Sequence, residues 1–225
     1  MVFRDRIEAG KILAEKLIGH KGEPATVVLG IPRGGVVVAS EIAKVLGAPL
    51  DIVVVRKLGA PGNAELAIGA VDSRGRTVLH EDLIARLEVS REYLEEVISR
   101  ERAEAERRER VFRGEKAPLL LEGRIVILVD DGLATGATAA AAIELIRTQK
   151  PKKIILAVPV APLDSLNLVR AKVDELLVLH TSSFFFAVGQ FYRQFDQVTD
   201  EEVKAKLTTD FLHARHPPGR DDEWG

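Results

Sequence analysis

One stretch limits what this chain can become more than any other: Arg124-Ile-Val-Ile-Leu-Val-Asp130-Asp131-Gly-Leu-Ala134-Thr135-Gly136-Ala137-Thr138, followed by an alanine run over 139–142. An unbroken Ile/Val/Leu run is the signature of a parallel strand buried on both faces. The run ends in two adjacent carboxylates, turns through a short Thr/Gly loop and opens directly into a helix-forming segment. In open α/β sheets, ligands bind at the carboxyl ends of the strands. A helix N-terminus offers free backbone N–H groups and the positive end of a dipole, which favour a phosphate. Two carboxylates just before it suit the opposite task of accepting hydrogen bonds from sugar hydroxyls. The pattern therefore specifies a site for a phosphorylated sugar.

Elsewhere, strands and helices alternate in the βαβ manner, which predicts an open, mostly parallel sheet flanked by helices. Residues 4–19 read as an amphipathic helix with Ile7, Leu13 and Leu17 facing inward. Strands follow at 26–30 and 50–55, separated by a helix over 34–46. A Gly/Pro loop at 58–64 precedes two short strands around 66–71 and 76–79. After the central strand 125–129 come a helix over 137–148, a strand at 153–160, a helix near 163–172, a strand at 175–179 and a helix near 200–207. Residues 90–113 interrupt this alternation with a charged helix, anchored in its first half by Tyr93, Leu94, Val97 and Ile98. Its Glu96–Arg100, Glu104–Arg108 and Glu106–Arg110 spacings suit i,i+4 ion pairs, each worth about 0.2–0.5 kcal/mol. Subunit contact and active-site cover are both open for this helix.

Composition narrows the function classes. A formal net charge of −2 argues against general nucleic-acid affinity, and the acidic residues of the charged helix neutralise its arginines. The chain contains no cysteine, so disulfides and thiolate metal sites are excluded, and its five histidines show no metal-ligand spacing. No apolar run reaches membrane-spanning length and the N-terminus lacks a signal-peptide core, so the expectation is a cytoplasmic protein without membrane contact.

The loop Gly30-Ile-Pro32-Arg33-Gly34-Gly35 also joins a strand to a helix. Its glycines let the main chain approach an anion closely, and Arg33 adds a fork suited to phosphate oxygens. Arg56 and Lys57 enter the Gly/Pro loop, where they serve either as solvated charges or as anion contacts. The segment 181–192 holds much of the aromatic content, including Phe184, Phe185 and Phe186. Most of these rings suit core packing, while a flat base would need one as a stacking face.

The motif at 125–138, four apolar residues, two acidic ones and a Thr/Gly loop, resembles the phosphoribosyl pyrophosphate (PRPP) motif of the type I phosphoribosyltransferases. The likeness spans about residues 25–180 and points to an uncharacterised bacterial branch of that family. It implies one phosphoribosyltransferase-like domain over 1–212, with a core at 25–180 and a helical insertion at about 82–116. A small hood would come from the N-terminal helix and 181–212, followed by a disordered tail at 213–225. By this resemblance, Asp130 and Asp131 hold the ribose 2′ and 3′ hydroxyls and serve catalysis together with Lys57. Ala134, Thr135, Gly136, Ala137 and Thr138 hold the 5′-phosphate. Arg33, Gly34, Gly35, Arg56 and Lys57 grip pyrophosphate in a loop that in the family often contains a strained or cis peptide, and Phe185 or Phe186 contacts the base.

The implied activity is that of a pentosyltransferase of nucleotide metabolism. It would move 5-phosphoribose from PRPP to a nitrogen nucleophile such as a nucleobase, with magnesium bound through the substrate and no firm direct protein ligand for the metal. Partners are PRPP and a small base, with a homo-oligomer open; nucleic acid and membrane are not expected. One departure matters. Ala134 stands where hypoxanthine and guanine enzymes commonly place an Asp, and the Leu-Ala-Thr-Gly form is closer to adenine and uracil members. The alternative is a PRPP-binding regulator without catalysis, since one fold hosts many functions.

Overall fold

The computed structural model describes residues 1–114 and 116–213. In chain order its elements are α1 (Arg6–Lys16), β1 (Thr26–Gly30), α2 (Gly34–Leu46), β2 (Leu50–Ile52), β3 (Val55–Ala60), β4 (Asn63–Asp72), β5 (Thr77–Leu79), α3 (Glu81–Arg86), α4 (Arg91–Arg113), β6 (Ile125–Val129), α5 (Ala137–Arg147), β7 (Lys153–Ala161), α6 (Leu163–Arg170), β8 (Glu175–Thr181) and α7 (Asp200–His213). Of the tail expected from 213 onward, His213 ends α7 and the remainder lies outside the described residues.

β6 is buried along its whole length, as its uninterrupted apolar run requires. It sits at the centre of a parallel five-stranded sheet in the order β2-β1-β6-β7-β8. Alternate residues of each strand feed opposite faces. Val28, Ile127, Val129 and Ile155 pack with α1, α2, the end of α4 and α7, while Val27, Val126, Leu128 and Leu156 pack with α5 and α6. The chain runs outward from β1 to β2 on one side, and from β6 to β7 and β8 on the other. The order therefore reverses between β1 and β6, where an open sheet leaves a crevice beyond its carboxyl edge.

Local signals explain the helix ends. Asp5 caps α1 by accepting from the Glu8 N–H, Ser90 caps α4 through the Tyr93 N–H, and Gly47 ends α2 in the left-handed region. Within α1, Leu13 and Leu17 are buried as the pattern predicts, but Ile7 is 36% exposed. Gly10 faces inward in its place: a β-carbon there would lie 2.8 Å from the Val38 carbonyl oxygen, so its absence lets α1 approach α2.

The strand expected over 50–55 stops at Ile52, and the chain crosses into a second, antiparallel sheet, β3-β4-β5. The Gly/Pro stretch at 58–64 is a hairpin turning at Pro61-Gly62 rather than a loop. Gly59 permits the close return, because a β-carbon there would lie 2.8 Å from the Ala64 Cα. Leu58, Ile68 and Val71 form a separate small core with α3 and the first half of α4, where Val97 is buried and Tyr93, Leu94 and Ile98 pack beside it. The Tyr93 hydroxyl donates to the Gly59 carbonyl at 2.9 Å and ties the hairpin to α4. Two of the ion pairs anticipated along α4 form, Glu96–Arg100 at 3.6 Å and Glu104–Arg108 at 2.7 Å. Glu106 instead takes Arg102 at 2.8 Å.

Ile127 is fully buried mid-sheet, whereas Leu120 is 78% exposed. Ile127→Ala is expected to cost about 2–5 kcal/mol in urea unfolding, and Leu120→Ala to stay within about 0.5 kcal/mol of the parent.

Candidate active site

Parallel pairing of β1 with β6 sets Gly30 opposite Val129, so the loops that follow leave the sheet side by side. The Ile31 N–H extends the pairing to the Val129 carbonyl at 2.9 Å. The next peptide, Pro32–Arg33, is cis. Gly34 and Gly35 then press directly on the acidic pair. A β-carbon on Gly35 would lie 2.8 Å from the Val129 carbonyl oxygen and 2.9 Å from the Asp130 Cα. One on Gly34 would overlap the Asp131 carboxylate and lie 2.9 Å from Arg6 Nε. Two motifs almost a hundred residues apart thus form one surface, and glycine is what lets them touch.

The two carboxylates are poorly solvated. Burial, reinforced by the adjacent Asp131, pushes the Asp130 carboxyl well above the usual range. Burial raises Asp131 as well, but the Arg6 guanidinium opposes the rise by hydrogen bond and charge. Arg6 Nε donates to Asp131 Oδ2 at 2.7 Å, with both side chains largely buried. The Tyr192 hydroxyl donates to the Asp131 backbone carbonyl at 2.6 Å, and burial pushes that phenol up, keeping it a donor. Among the described residues, Asp131 Oδ1 and Asp130 Oδ2 accept no hydrogen bond.

Past the carboxylates the chain turns through Ala134 and Thr135, both exposed, into Gly136 in the left-handed region with φ 75°. Ser165 Oγ donates to the Ala134 carbonyl at 2.6 Å and pins this turn to the start of α6. α5 begins at Ala137 with no side-chain cap. Its first N–H groups lie beside the exposed Thr138, with the Ala137 N–H donating to Thr135 Oγ1 at a long 3.4 Å.

Beside this turn lies a cavity of about 570 Å³ whose walls include Arg33, Arg56, Arg107, Arg108 and Thr138. Arg107 and Arg108 come from α4, so the charged helix contributes to the site. Sequence pattern left active-site cover as one of the open roles for this helix without singling out these two arginines. Both bond Glu104, at 2.8 and 2.7 Å, and those two arginines hold the Glu104 carboxyl down at about 2. Arg56 pairs with Glu101 at 2.7 Å, and Arg33 with Asp200 at 3.6 Å. Lys57, next to Arg56 on β3, does not line this cavity. Adjacent residues of a strand face opposite ways.

The two phenylalanines assigned to the base also part company. Phe185 packs on Phe191 with centroids 5.1 Å apart, whereas Phe186 is 91% exposed. Their segment reaches the acidic loop through Val188, whose Cγ1 would lie 2.6 Å from a β-carbon on Gly132. Arg6 and Tyr192 are the functional candidates that sequence reasoning missed. Neither has a local signal, because both reach Asp131 only through tertiary packing.

Comparison with known proteins agrees with this geometry. The family model of the phosphoribosyl transferase domain matches residues 4–196. The chain belongs to that family. Two Mycobacterium tuberculosis proteins with provisional phosphoribosyl transferase names, from strains CDC 1551 and H37Rv, are each 44% identical over 99% of this chain. The chain spans about half, 52%, of their length. The crystal structure of TT1426 from Thermus thermophilus is similar at 44% identity and a TM-score of 0.86, covering 93% of this chain and 99% of that one. Among the described residues, no helix of this phosphoribosyl transferase family member is long and apolar enough to cross a membrane.

The burial and close packing of this corner have measurable consequences. Asp130 ionises at a higher pH folded than unfolded, so its charge opposes folding above the folded value. The penalty fades as pH falls to the unfolded value near about 4. Asp130→Asn is therefore expected to raise the melting temperature at pH 7, and scanning calorimetry should show the gain shrinking toward pH 4. Gly35→Ala forces a methyl group against backbone that cannot swing aside, and should cost about 1–3 kcal/mol in denaturant unfolding.

Proposed function

We propose that this chain transfers 5-phosphoribose from PRPP to a nitrogen nucleophile, with a nucleobase as acceptor, and releases pyrophosphate. The observation that carries this reading is the juxtaposition at one sheet edge of a carboxylate pair, an uncapped helix start and an arginine-lined cavity. Asp130 and Asp131 would accept the ribose 2′ and 3′ hydroxyls, using the oxygens that take no hydrogen bond within the protein. The turn 134–138 would hold the 5′-phosphate. Arg33, Gly34, Gly35 and Arg56, joined by Arg107 and Arg108, would hold the diphosphate.

In the reaction, the bond from ribose C1′ to the diphosphate oxygen breaks, and its electron pair leaves with pyrophosphate. The acceptor nitrogen's lone pair forms the new bond to C1′, and the nitrogen's proton passes to a base or to solvent. Arginines around the leaving group stabilise the charge that develops there, and binding both reactants at one edge removes the entropic cost of their encounter. No covalent protein nucleophile is needed. Phe186 is the better of the two rings for stacking on a base, because Phe185 is already packed against Phe191.

The donor set also suits magnesium. Asp130 and Asp131 are hard oxygen donors and would hold the ion directly or through water, with the substrate supplying its other oxygens. The described residues include no group of three or more ligating side chains able to hold it alone. When bound, magnesium neutralises charge on the diphosphate.

Isothermal titration with PRPP and magnesium, followed by a pyrophosphate-release assay on purine, pyrimidine and pyridine bases, tests the proposal. Asp131→Asn should weaken PRPP binding by roughly 10- to 100-fold, the equivalent of one hydrogen bond to a charged group. Glu92→Gln, an exposed site on α4, is the neutral control. Glu104→Gln is not, because Glu104 holds Arg107 and Arg108 at the cavity. Binding without turnover on any base would favour a PRPP-sensing regulator, and absence of binding would reject both readings.

A further inference from the structure

The last turns of α4 carry more positive charge than the active-site cavity uses. Arg107, Arg110 and Val111 share one face of that helix at i, i+3, i+4 spacing, and Lys204, Leu207 and Thr208 share one face of α7 at the same spacing. Together they wall a second cavity of about 560 Å³. Much of its lining is apolar, because Leu50 at the start of β2, Phe112 and Leu207 belong to the main core. Arg107 lines both this cavity and the one beside Thr138. Glu106, one turn before Arg110, is taken by Arg102 at 2.8 Å. Among the described residues, neither Arg110 nor Lys204 makes an ion pair.

The acid in this wall is already engaged. Asp51 accepts from Arg113 Nη2 at 2.9 Å and from the Leu119 N–H at 2.9 Å. Arg113 lines the cavity too, and its side chain is only 6% exposed, yet its Nε has no hydrogen-bond partner among the described residues. A buried donor without an acceptor is costly, and such a group points to a ligand or water that satisfies it. Compensation of the helix dipole accounts for Arg110 and Arg113 at the end of α4. It does not account for Lys204 near the start of α7, where the dipole favours acids.

We propose that this cavity is a second ligand site, taking a phosphomonoester carried on a flat apolar body. Arg107, Arg110 and Lys204 meet the phosphate, while Val111, Phe112 and Leu207 cover the body. The two cations without a partner match the charge of about −1.5 to −2 that a phosphomonoester carries at pH 7. The volume falls within the roughly 300–1,000 Å³ of small-molecule sites. The site does not depend on the PRPP reading, since neither Asp130, Asp131 nor the turn 134–138 contributes to its wall.

The probe is 1-naphthyl phosphate, which has the anion and the flat body but no diol for Asp130 and Asp131. Calorimetry with the full chain, repeated with 1-naphthol and with inorganic phosphate, separates the two halves of the site. The naphthyl ester is expected to bind about tenfold or more tighter than either fragment, because linking the two makes the second contact intramolecular. Lys204→Gln and Arg110→Gln, both at exposed positions, should each weaken it about tenfold, the size of one hydrogen bond to a charged group. Arg56→Gln alters the neighbouring cavity alone and should leave the affinity within about twofold. Binding should weaken as salt is raised.

No binding of the naphthyl ester at millimolar concentration would overturn the proposal. So would binding that Arg56→Gln abolishes while Lys204→Gln and Arg110→Gln retain it, because the probe would then sit on the active-site arginines. Equal binding by inorganic phosphate would overturn it too, since the cavity would then select no body. A cavity covered instead by a second copy of the chain would show in sedimentation as a dimer that Lys204→Glu dissociates, with no uptake of the probe, and that result also sinks the proposal. A parallel PRPP titration keeps the two readings apart: a parent that does not bind PRPP removes the functional reading and leaves this test standing.

Discussion

The close pairing of β1 with β6 is the constraint on which the rest of the molecule depends. It brings Gly30 level with Val129, and from that register both loops must emerge together. A larger residue at Gly34 or Gly35 would collide with Asp131 or with the backbone around Asp130. The buried Ile/Val/Leu faces of these strands do more than stabilise the sheet. They hold the register that decides whether an acidic pair, a glycine turn and a helix start lie within reach of one small ligand.

That arrangement works against stability. Burial raises both carboxyls, so the folded protein holds them ionised only at a cost. Arg6 relieves part of it at Asp131, while Asp130 has no ion-paired cation among the described residues. Such local conflict between stability and charge is characteristic of sites shaped for a ligand, because the bound molecule supplies the missing hydrogen bonds. The arginine side of the cavity shows the same logic in reverse. Arg33, Arg56, Arg107 and Arg108 are each held by a carboxylate, which limits mutual repulsion and keeps them ordered beside the cavity.

Much of this was legible in the sequence because it is local. The Ile125–Val129 run, the carboxylates that end it and the Gly136 turn are contiguous, and their physical meaning travels with their order. The parallel sheet, the charged helix and its Tyr93–Ile98 anchor were legible for the same reason. What could not be read depended on contacts across the fold. Ile7 sits at a helical spacing that suits the core, yet Gly10 turns inward because α2 lies too close for a side chain. The glycines and proline at 58–64 signal a turn equally well in a loop and in a hairpin, and strand pairing chose the hairpin. The polar half of α4 looks like a solvated face until the packing of Ala105 and Phe112 into the main core sets Arg107 and Arg108 at the cavity. Arg6 meets Asp131 across 125 positions, which no periodicity reports.

The central claim is that this corner grasps a phosphorylated pentose by its diol and its terminal phosphate at once. A crystal structure of the protein soaked with PRPP and magnesium tests it most directly. The account predicts the ribose hydroxyls within hydrogen-bonding distance of the Asp130 and Asp131 carboxylates, the 5′-phosphate on the N–H groups of the turn 134–138, and Arg6 still on Asp131. The compound seated at another place, with this corner empty at saturating concentration, would contradict it.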